Sequence, residues 1–238
     1  MSKVLVIIPT YNEIENVEAI SKAVLSMSQD YSVLIVDDGS PDGTADKVRS
    51  LQGQWQGRLH LLEREGKLGL GTAYIAGFRY ALTHDFEYIM EMDADFSHNP
   101  SNIPVLLEAC AQEGVGMAVG SRYVKGGGFK NWSKYRLLLS FGASLYTRMI
   151  TWMPVKDPTA GFVVYKREVL ERMDLDKIKF VGYAFQIEMK YYCHCLGYKI
   201  SEVPIIFVDR VLGTSKMNSS IITEAILGVL QMRLRKYN

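Results

Sequence analysis

Apolar residues recur along the first half of the chain in two alternating rhythms. Short runs of strand length come first in each repeat: "KVLVIIP", "SVLIVDD", "LHLLER", "YIMEMDAD" and "VGMAVGSRY". Between them the apolar positions take helical spacing. Ile14, Val17, Ile20, Val24 and Met27 mark one helical face, and further helices are predicted up to about Leu51, from about Thr72 to Thr83, and after Asn102. Strands that are apolar on both faces and separated by helices predict a parallel sheet covered on both sides. The pattern is that of a doubly wound α/β domain, at least to residue 123.

After Tyr123 the rhythm changes. "VKGGGFKNWSKYR" reads as a glycine-rich, basic and aromatic loop, followed by a long mixed helix to about Met153. A strand at "GFVVYK", a helix through "AFQIEMKYYCHC" and a strand at "EVPIIFV" come next, and an amphipathic helix from Asn218 ends in "RLRKYN". No internal repeat or low-complexity segment appears, so the second half reads as an elaboration of the same single domain.

With 238 residues, 48% of them hydrophobic, the chain can bury a sizeable core. A net charge of +1 with both signs interspersed gives no electrostatic case for nucleic-acid binding. Three cysteines, Cys110, Cys193 and Cys195, suit a reducing compartment, and a cytoplasmic location is expected. The N-terminus lacks a signal-peptide pattern, and no window reaches the roughly 18 apolar residues of a membrane span. "CHC" at 193–195 sits in a helical pattern with no second ligand cluster and reads as ordinary packing.

The chemistry gathers at the ends of the predicted strands. Ligands of open parallel sheets bind beyond the carboxyl ends of the strands, where "PTYNE", "DDGSPDGT", "DADFSH" and "GSRYVKGGG" fall. Neither a dinucleotide fingerprint nor a phosphate-cradling glycine loop ending in Lys-Ser/Thr is present. If phosphates bind here, a divalent ion between Asp93 and Asp95 is the economical counter-charge. In an extended segment both carboxylates point to one side and Ala94 to the other. The alternative is structural: Asp95 or Ser97 caps the turn, and Ser101 starts the next helix. Asp37 and Asp38 offer a carboxylate to a base or ribose, beside a turn reading of Gly39, Pro41, Asp42 and Gly43; Glu13 and Tyr11 each have an ordinary reading, as a first-turn acid and a packed aromatic. Arg122, Lys125, Lys130, Lys134 and Arg136, interleaved with Phe129, Trp132 and Tyr135, suggest a surface for phosphate head groups and the membrane interface. Arg210 and Lys216 lie in a glycine-containing stretch that reads as a lid over phosphates.

Taken in order, "IPTYNE", "DDGSPDGT", "KLGLGTAY", "MDADFSH", "GSRYVKGGG", "DPTAGF", "GYAFQIEM" and "EVPIIFVDRVLGTSK" resemble the blocks of the family 2, GT-A fold glycosyltransferases that act on polyprenyl phosphates, the dolichol-phosphate mannosyltransferases among them. The resemblance runs from about residue 4 to residue 230. It implies a GT-A type, Rossmann-like, doubly wound mixed sheet. The halves become a nucleotide-sugar-binding part (1–123), an acceptor part (124–217) and a C-terminal helix (218–238). It implies that Pro9, Tyr11, Glu13, Val36 and Asp38 hold the nucleoside of GDP-mannose. Asp93, Ala94 and Asp95 would face the diphosphate, with Asp93 and Asp95 binding Mg2+ or Mn2+. Arg122, Arg210 and Lys216 would bind phosphates, and Arg122, Arg136 and Ser140 would meet the dolichyl or polyprenyl phosphate. Some relatives carry glutamine where this chain has Ser97, and many carry C-terminal membrane spans that it lacks.

A lipid phosphate with a second pKa of about 6 is largely dianionic at neutral pH and needs no general base. The expectation is therefore single displacement with inversion, the ion and the basic residues screening two anions from each other. The enzyme would work peripherally on the cytosolic face of a membrane, with room for a membrane-anchoring partner. Alternatives are another sugar donor such as UDP-glucose, a silent membrane-associated subunit, or transfer to a sugar hydroxyl.

Overall fold

A computed structural model describes residues 3–208, 219–235 and 237. The strands are β1 (Val4–Thr10), β2 (Tyr31–Asp37), β3 (Leu59–Glu63), β4 (Tyr88–Glu91), β5 (Val115–Ser121), β6 (Gly128–Lys130), β7 (Val163–Lys166), β8 (Lys199–Pro204) and β9 (Ile206–Val208). The helices are α1 (Val17–Leu25), α2 (Thr44–Gln52), α3 (Leu70–Leu82), α4 (Ile103–Ala111), α5 (Lys134–Thr151), α6 (Arg167–Arg172), α7 (Tyr183–Cys195) and α8 (Ser219–Leu234). Seven strands form one sheet in the order β3-β2-β1-β4-β7-β5-β8, and β6 pairs with β9 separately.

The two-sided apolar runs become two cores. Along β1, Leu5 and Ile7 join Phe78, Tyr165 and Phe185 on one face, while Val4, Val6 and Ile8 join Val17, Val48 and Leu106 on the other. A strand alternates its side chains with a period of two, so an unbroken apolar run feeds both layers. Helices α3, α6 and α7 cover the first face and α1, α2 and α4 the second. Parallel pairing joins β3, β2, β1 and β4, and again β5 and β8; β7 alone runs antiparallel to both its neighbours. The sheet is therefore mixed, as the resemblance implied.

Several details depart from the sequence reading. Helix α1 is shorter than its apolar face suggested: Ile14 and Met27 lie outside its ends and are exposed. The fourth strand stops at Glu91, before the two aspartates. Neither β6 nor α6 was predicted, both being too short for periodicity to register. The single strand expected over 202–208 is two. Pro204, with no N–H to continue the ladder, ends β8, and Ile206–Val208 crosses to pair with Gly128–Lys130.

Candidate active site

The strand order reverses between β1 and β4, opening a crevice beyond their carboxyl ends. Because β7 is antiparallel, the segment before it, residues 157–162, arrives at this same edge. Five polar segments thus converge: 9–13, 37–44, 92–98, 120–123 and 157–162.

On the β1–β2 side the turn after β2 is built by Asp37. Its carboxylate accepts the Thr10 hydroxyl at 2.8 Å, the Ser40 hydroxyl at 2.6 Å and the Ser40 N–H at 2.9 Å. Gly39 has a φ of +68°, which favours glycine, and a Cβ there would lie 3.3 Å from the Arg64 carbonyl. Asp38 is buried and paired with Arg64, whose Nε and Nη2 donate at 2.7 and 2.8 Å. Its carboxylate is therefore shared with a guanidinium from the end of β3, which the sequence reading missed although "LHLLER" placed that arginine at a strand end. Glu13 accepts from Asn16 Nδ2 at 2.8 Å, and the Lys67 ammonium lies 5.0 Å from the Tyr11 ring centroid. Pro9 is half-buried at the strand end; Val36 is fully buried, its side chain in the core, so only its backbone reaches the edge.

The aspartates sit in a turn capped by Asp95, the alternative the sequence offered to the extended geometry. Asp95 Oδ1 accepts the Ser97 N–H at 3.0 Å, and Phe96 takes a left-handed φ of +58°. Ala94 is nonetheless buried, whereas Asp93 and Asp95 are half-buried. Asn99, rather than Ser101, caps the following turn, accepting the Ser101 N–H at 3.0 Å. Beneath lies His98, which accepts the Asp93 N–H on Nδ1 at 3.3 Å and stacks on Phe162 with centroids 5.0 Å apart. Burial pushes its imidazole down to about 4, against the pull of the Asp95 and Asp157 carboxylates, so at neutral pH it supports the turn as a neutral acceptor.

Across the crevice Arg122 is gripped by Asp157. The Arg122 main-chain N–H and Nε donate to Asp157 Oδ2 at 2.9 and 2.7 Å, and Nη2 donates to Oδ1 at 2.6 Å and to Thr159 at 2.9 Å. The rings of Tyr123, Phe129, Trp132 and Phe207 surround the guanidinium, all 5.4–5.8 Å away. Arg136 stands 3.9 Å over the Trp132 ring, so one indole is shared by two guanidinium groups. Ser140 accepts the Tyr123 hydroxyl at 2.7 Å. Arg122, Arg136 and Ser140 are thus brought together; Arg210 and Lys216 lie outside the described residues.

The family described as Glycosyl transferase family 2 matches residues 5–174, which include every segment above. The chain belongs to glycosyltransferase family 2. It is 43% identical over 233 residues to the polyprenol monophosphomannose synthase of Mycolicibacterium smegmatis, covering 98% of this chain and 88% of that protein. It is equally 43% identical to the undecaprenyl-phosphate mannosyltransferase of Micrococcus luteus, with 98% and 94% covered. Among solved structures, glucosyl-3-phosphoglycerate synthase from Mycobacterium tuberculosis superposes with a TM-score of 0.71 at 15% identity, over 99% of this chain and 81% of that one. A mannosyltransferase from Pyrobaculum calidifontis, in complex with GDP-Man and Mn2+, gives 0.60 at 20% identity, over 90% and 58%. These structural likenesses establish the GT-A architecture of this family 2 glycosyltransferase.

The aspartate turn fits a hard divalent cation. Its donors are oxygens only, and the buried Ser97 hydroxyl beside Asp95 has no hydrogen-bond partner. The buried Tyr74 hydroxyl lies beside the turn: burial first, then the charges of Asp93, Glu91 and Asp95 and a hydrogen bond with Asp93, raise its pKa well above the usual range. No cluster of three or more His, Cys, Asp or Glu side chains suited to a metal occurs among the described residues. Two carboxylates alone would leave most positions around such an ion to other oxygens, as Mg2+ sites commonly do.

Sequence reasoning passed over Asp157, His98, Tyr74 and Arg64. Asp157 and Tyr74 stand inside the blocks "DPTAGF" and "KLGLGTAY", but nothing in their local pattern shows that they face the edge.

Proposed function

We propose that this family 2 glycosyltransferase transfers mannose from GDP-mannose to a dolichyl or other polyprenyl phosphate by inverting single displacement. The observation that carries the reading is the 43% identity, over 98% of the chain, to two proteins named for mannosyl transfer onto polyprenyl phosphates. In this reading the chain is one domain: residues 1–123 bind the donor, 124–217 serve the acceptor and 218–238 form a C-terminal helix.

Pro9, Tyr11, Glu13, Val36 and Asp38 contact the nucleoside, Val36 through its backbone. Asp93 and Asp95, with Ala94 between them, hold Mg2+ or Mn2+ against the diphosphate. When bound, the ion supplies Lewis-acid stabilisation of the charge that develops on the leaving diphosphate. Arg122, oriented by Asp157, faces phosphate between donor and acceptor; Arg136 and Ser140 receive the lipid phosphate, and Arg210 and Lys216 close over the donor. The acceptor oxygen is already anionic, so these residues align and screen rather than remove a proton.

The lipid is met at the cytosolic face of a membrane. Support comes from α5, which carries Arg136 and Ser140 and exposes Tyr135, Leu138, Phe141, Leu145, Met149 and the adjoining Trp152 at helical spacing. No helix among the described residues is long and apolar enough to cross a membrane.

The test is transfer from GDP-mannose and, in parallel, UDP-glucose to a short polyprenyl phosphate in detergent. Mannosyl transfer that stops with chelator and returns with Mn2+ or Mg2+ is expected. Glucosyl transfer would move the reading to another donor, and nucleotide binding without transfer would favour a silent subunit.

A further inference from the structure

The 157–162 loop is held from behind by a buried charge. Lys190, in α7, is fully buried, and its ammonium donates to the Ala160 carbonyl at 2.7 Å. It also donates to Gln186, at 3.1 Å to Oε1 and 3.2 Å to the main-chain carbonyl. Gln186 in turn donates from Nε2 to Glu91, whose other oxygen accepts the Tyr165 hydroxyl at 2.6 Å. The loop passes close by: a Cβ at Gly161 would lie 3.7 Å from Gln186 Nε2 and 3.8 Å from His98 Cε1.

An apolar side chain of the same length would fill this space without the several kcal/mol needed to desolvate an ammonium. Burial pushes the Lys190 pKa down, and the Glu91 and Asp157 carboxylates oppose that shift. The charge is thus set among the groups that frame the site. The loop it grips bears Asp157, which takes three N–H groups of Arg122, and runs into Phe162, which stacks on His98 under the aspartate turn.

We infer that Lys190, aimed by Gln186, is a positioning residue: by fixing the Ala160 carbonyl it sets the loop that directs the Arg122 guanidinium at phosphate. Only the task given to Arg122 rests on the proposed transfer reaction; the link from Lys190 to Arg122 stands on geometry alone.

The experiment compares wild type with Lys190→Met and the milder Gln186→Met, which leaves two of the three Lys190 bonds. The first reading is hydrogen exchange of the Arg122 Nε–H by NMR, assigned with Arg122→Lys; the second is kcat alongside GDP affinity. Lys190→Met is expected to speed Arg122 Nε–H exchange and lower kcat, each about tenfold or more, with GDP affinity held within about twofold. Its effect on kcat should largely vanish in the Arg122→Lys background, because the two act as one unit. Unchanged Arg122 exchange, or kcat losses that multiply in the double variant, would overturn the inference. If Lys190→Met fails to fold, Gln186→Met carries the same readings with smaller changes expected. Should wild type transfer no mannose, the proposed function fails while the exchange reading still decides the inference.

Discussion

At the scale of single residues, the site works by setting each carboxylate to a distinct task. Asp37 builds a turn, Asp38 pairs with Arg64, Asp157 grips Arg122, and Asp93 and Asp95 are the half-buried pair at the crevice. Asp95→Ala should reduce mannosyl transfer by about a hundredfold or more, since stabilisation of a leaving diphosphate is worth several kcal/mol. Its thermal midpoint should stay within a few degrees of wild type; near-normal turnover with metal present would remove the assignment. The thiols give an independent check on packing. Burial pushes Cys110 and Cys193 up to about 12; it raises the Cys195 thiol as well, but only Cys195 is exposed to a reagent. The thiolate is the nucleophile, so near pH 8 a thiol reagent should modify Cys195 in the native protein and reach the other two only on unfolding. Mass mapping after a short labelling pulse would show which cysteines reacted.

At the scale of elements, one close approach sets how the sheet is covered. Helix α3 lies so near β1 that a Cβ on Gly77 would come within 2.6 Å of Ile7 Cγ2. Ile7 is fully buried between layers and has no room to retreat. Gly77→Ala should therefore destabilise by about 1–3 kcal/mol, seen as a lower thermal midpoint. Gly142→Ala is the contrast, because nothing lies within 4 Å of a Cβ there, in the exposed part of α5. That substitution should stabilise by about 0.5–1 kcal/mol, glycine being the poorer helix former. Equal effects from the two would contradict the packing described. The antiparallel β7 is the other decisive element, since reversing one strand brings residues 157–162 to the edge where Arg122 emerges.

For the whole molecule, the apolar face of α5 is the feature that a monomeric core does not explain. Leu138, Met149 and Trp152 are 69%, 66% and 76% exposed, and Leu227, Leu230 and Leu234 of the adjacent α8 are exposed as well. Arg233 lies 5.2 Å from the Trp152 ring, adding a cation at one end of the face. Wild type should cosediment with vesicles containing anionic phospholipid, less so at high salt as the charges are screened. Combining Leu138→Ser, Met149→Ser and Trp152→Ser should weaken that binding by at least about tenfold, given about 1.5–3 kcal/mol for each large apolar side chain buried. Binding unaffected by the triple change would place the contact elsewhere, and no vesicle binding by wild type would favour an anchoring partner.

The sequence by itself determined the layered α/β plan, because short apolar runs of strand length alternate with segments of helical spacing, and strands so placed must be buried on two faces. It also gave the convergence of polar segments, since parallel strands must deliver their carboxyl ends to one edge. Arg122, Arg136 and the Asp93–Asp95 pair stood out as candidates for the same reason, being polar groups just past a strand or in the basic, aromatic stretch that leads into α5. Only the tertiary structure decided which partner each charge keeps. Asp38 with Arg64 and Arg122 with Asp157 are 26 and 35 residues apart in sequence, and periodicity carries no information about such pairs. The break at Pro204 and the buried chain from Glu91 through Gln186 to Lys190 were hidden likewise. Each depends on what another element places opposite it, and that is set by the packing of the sheet.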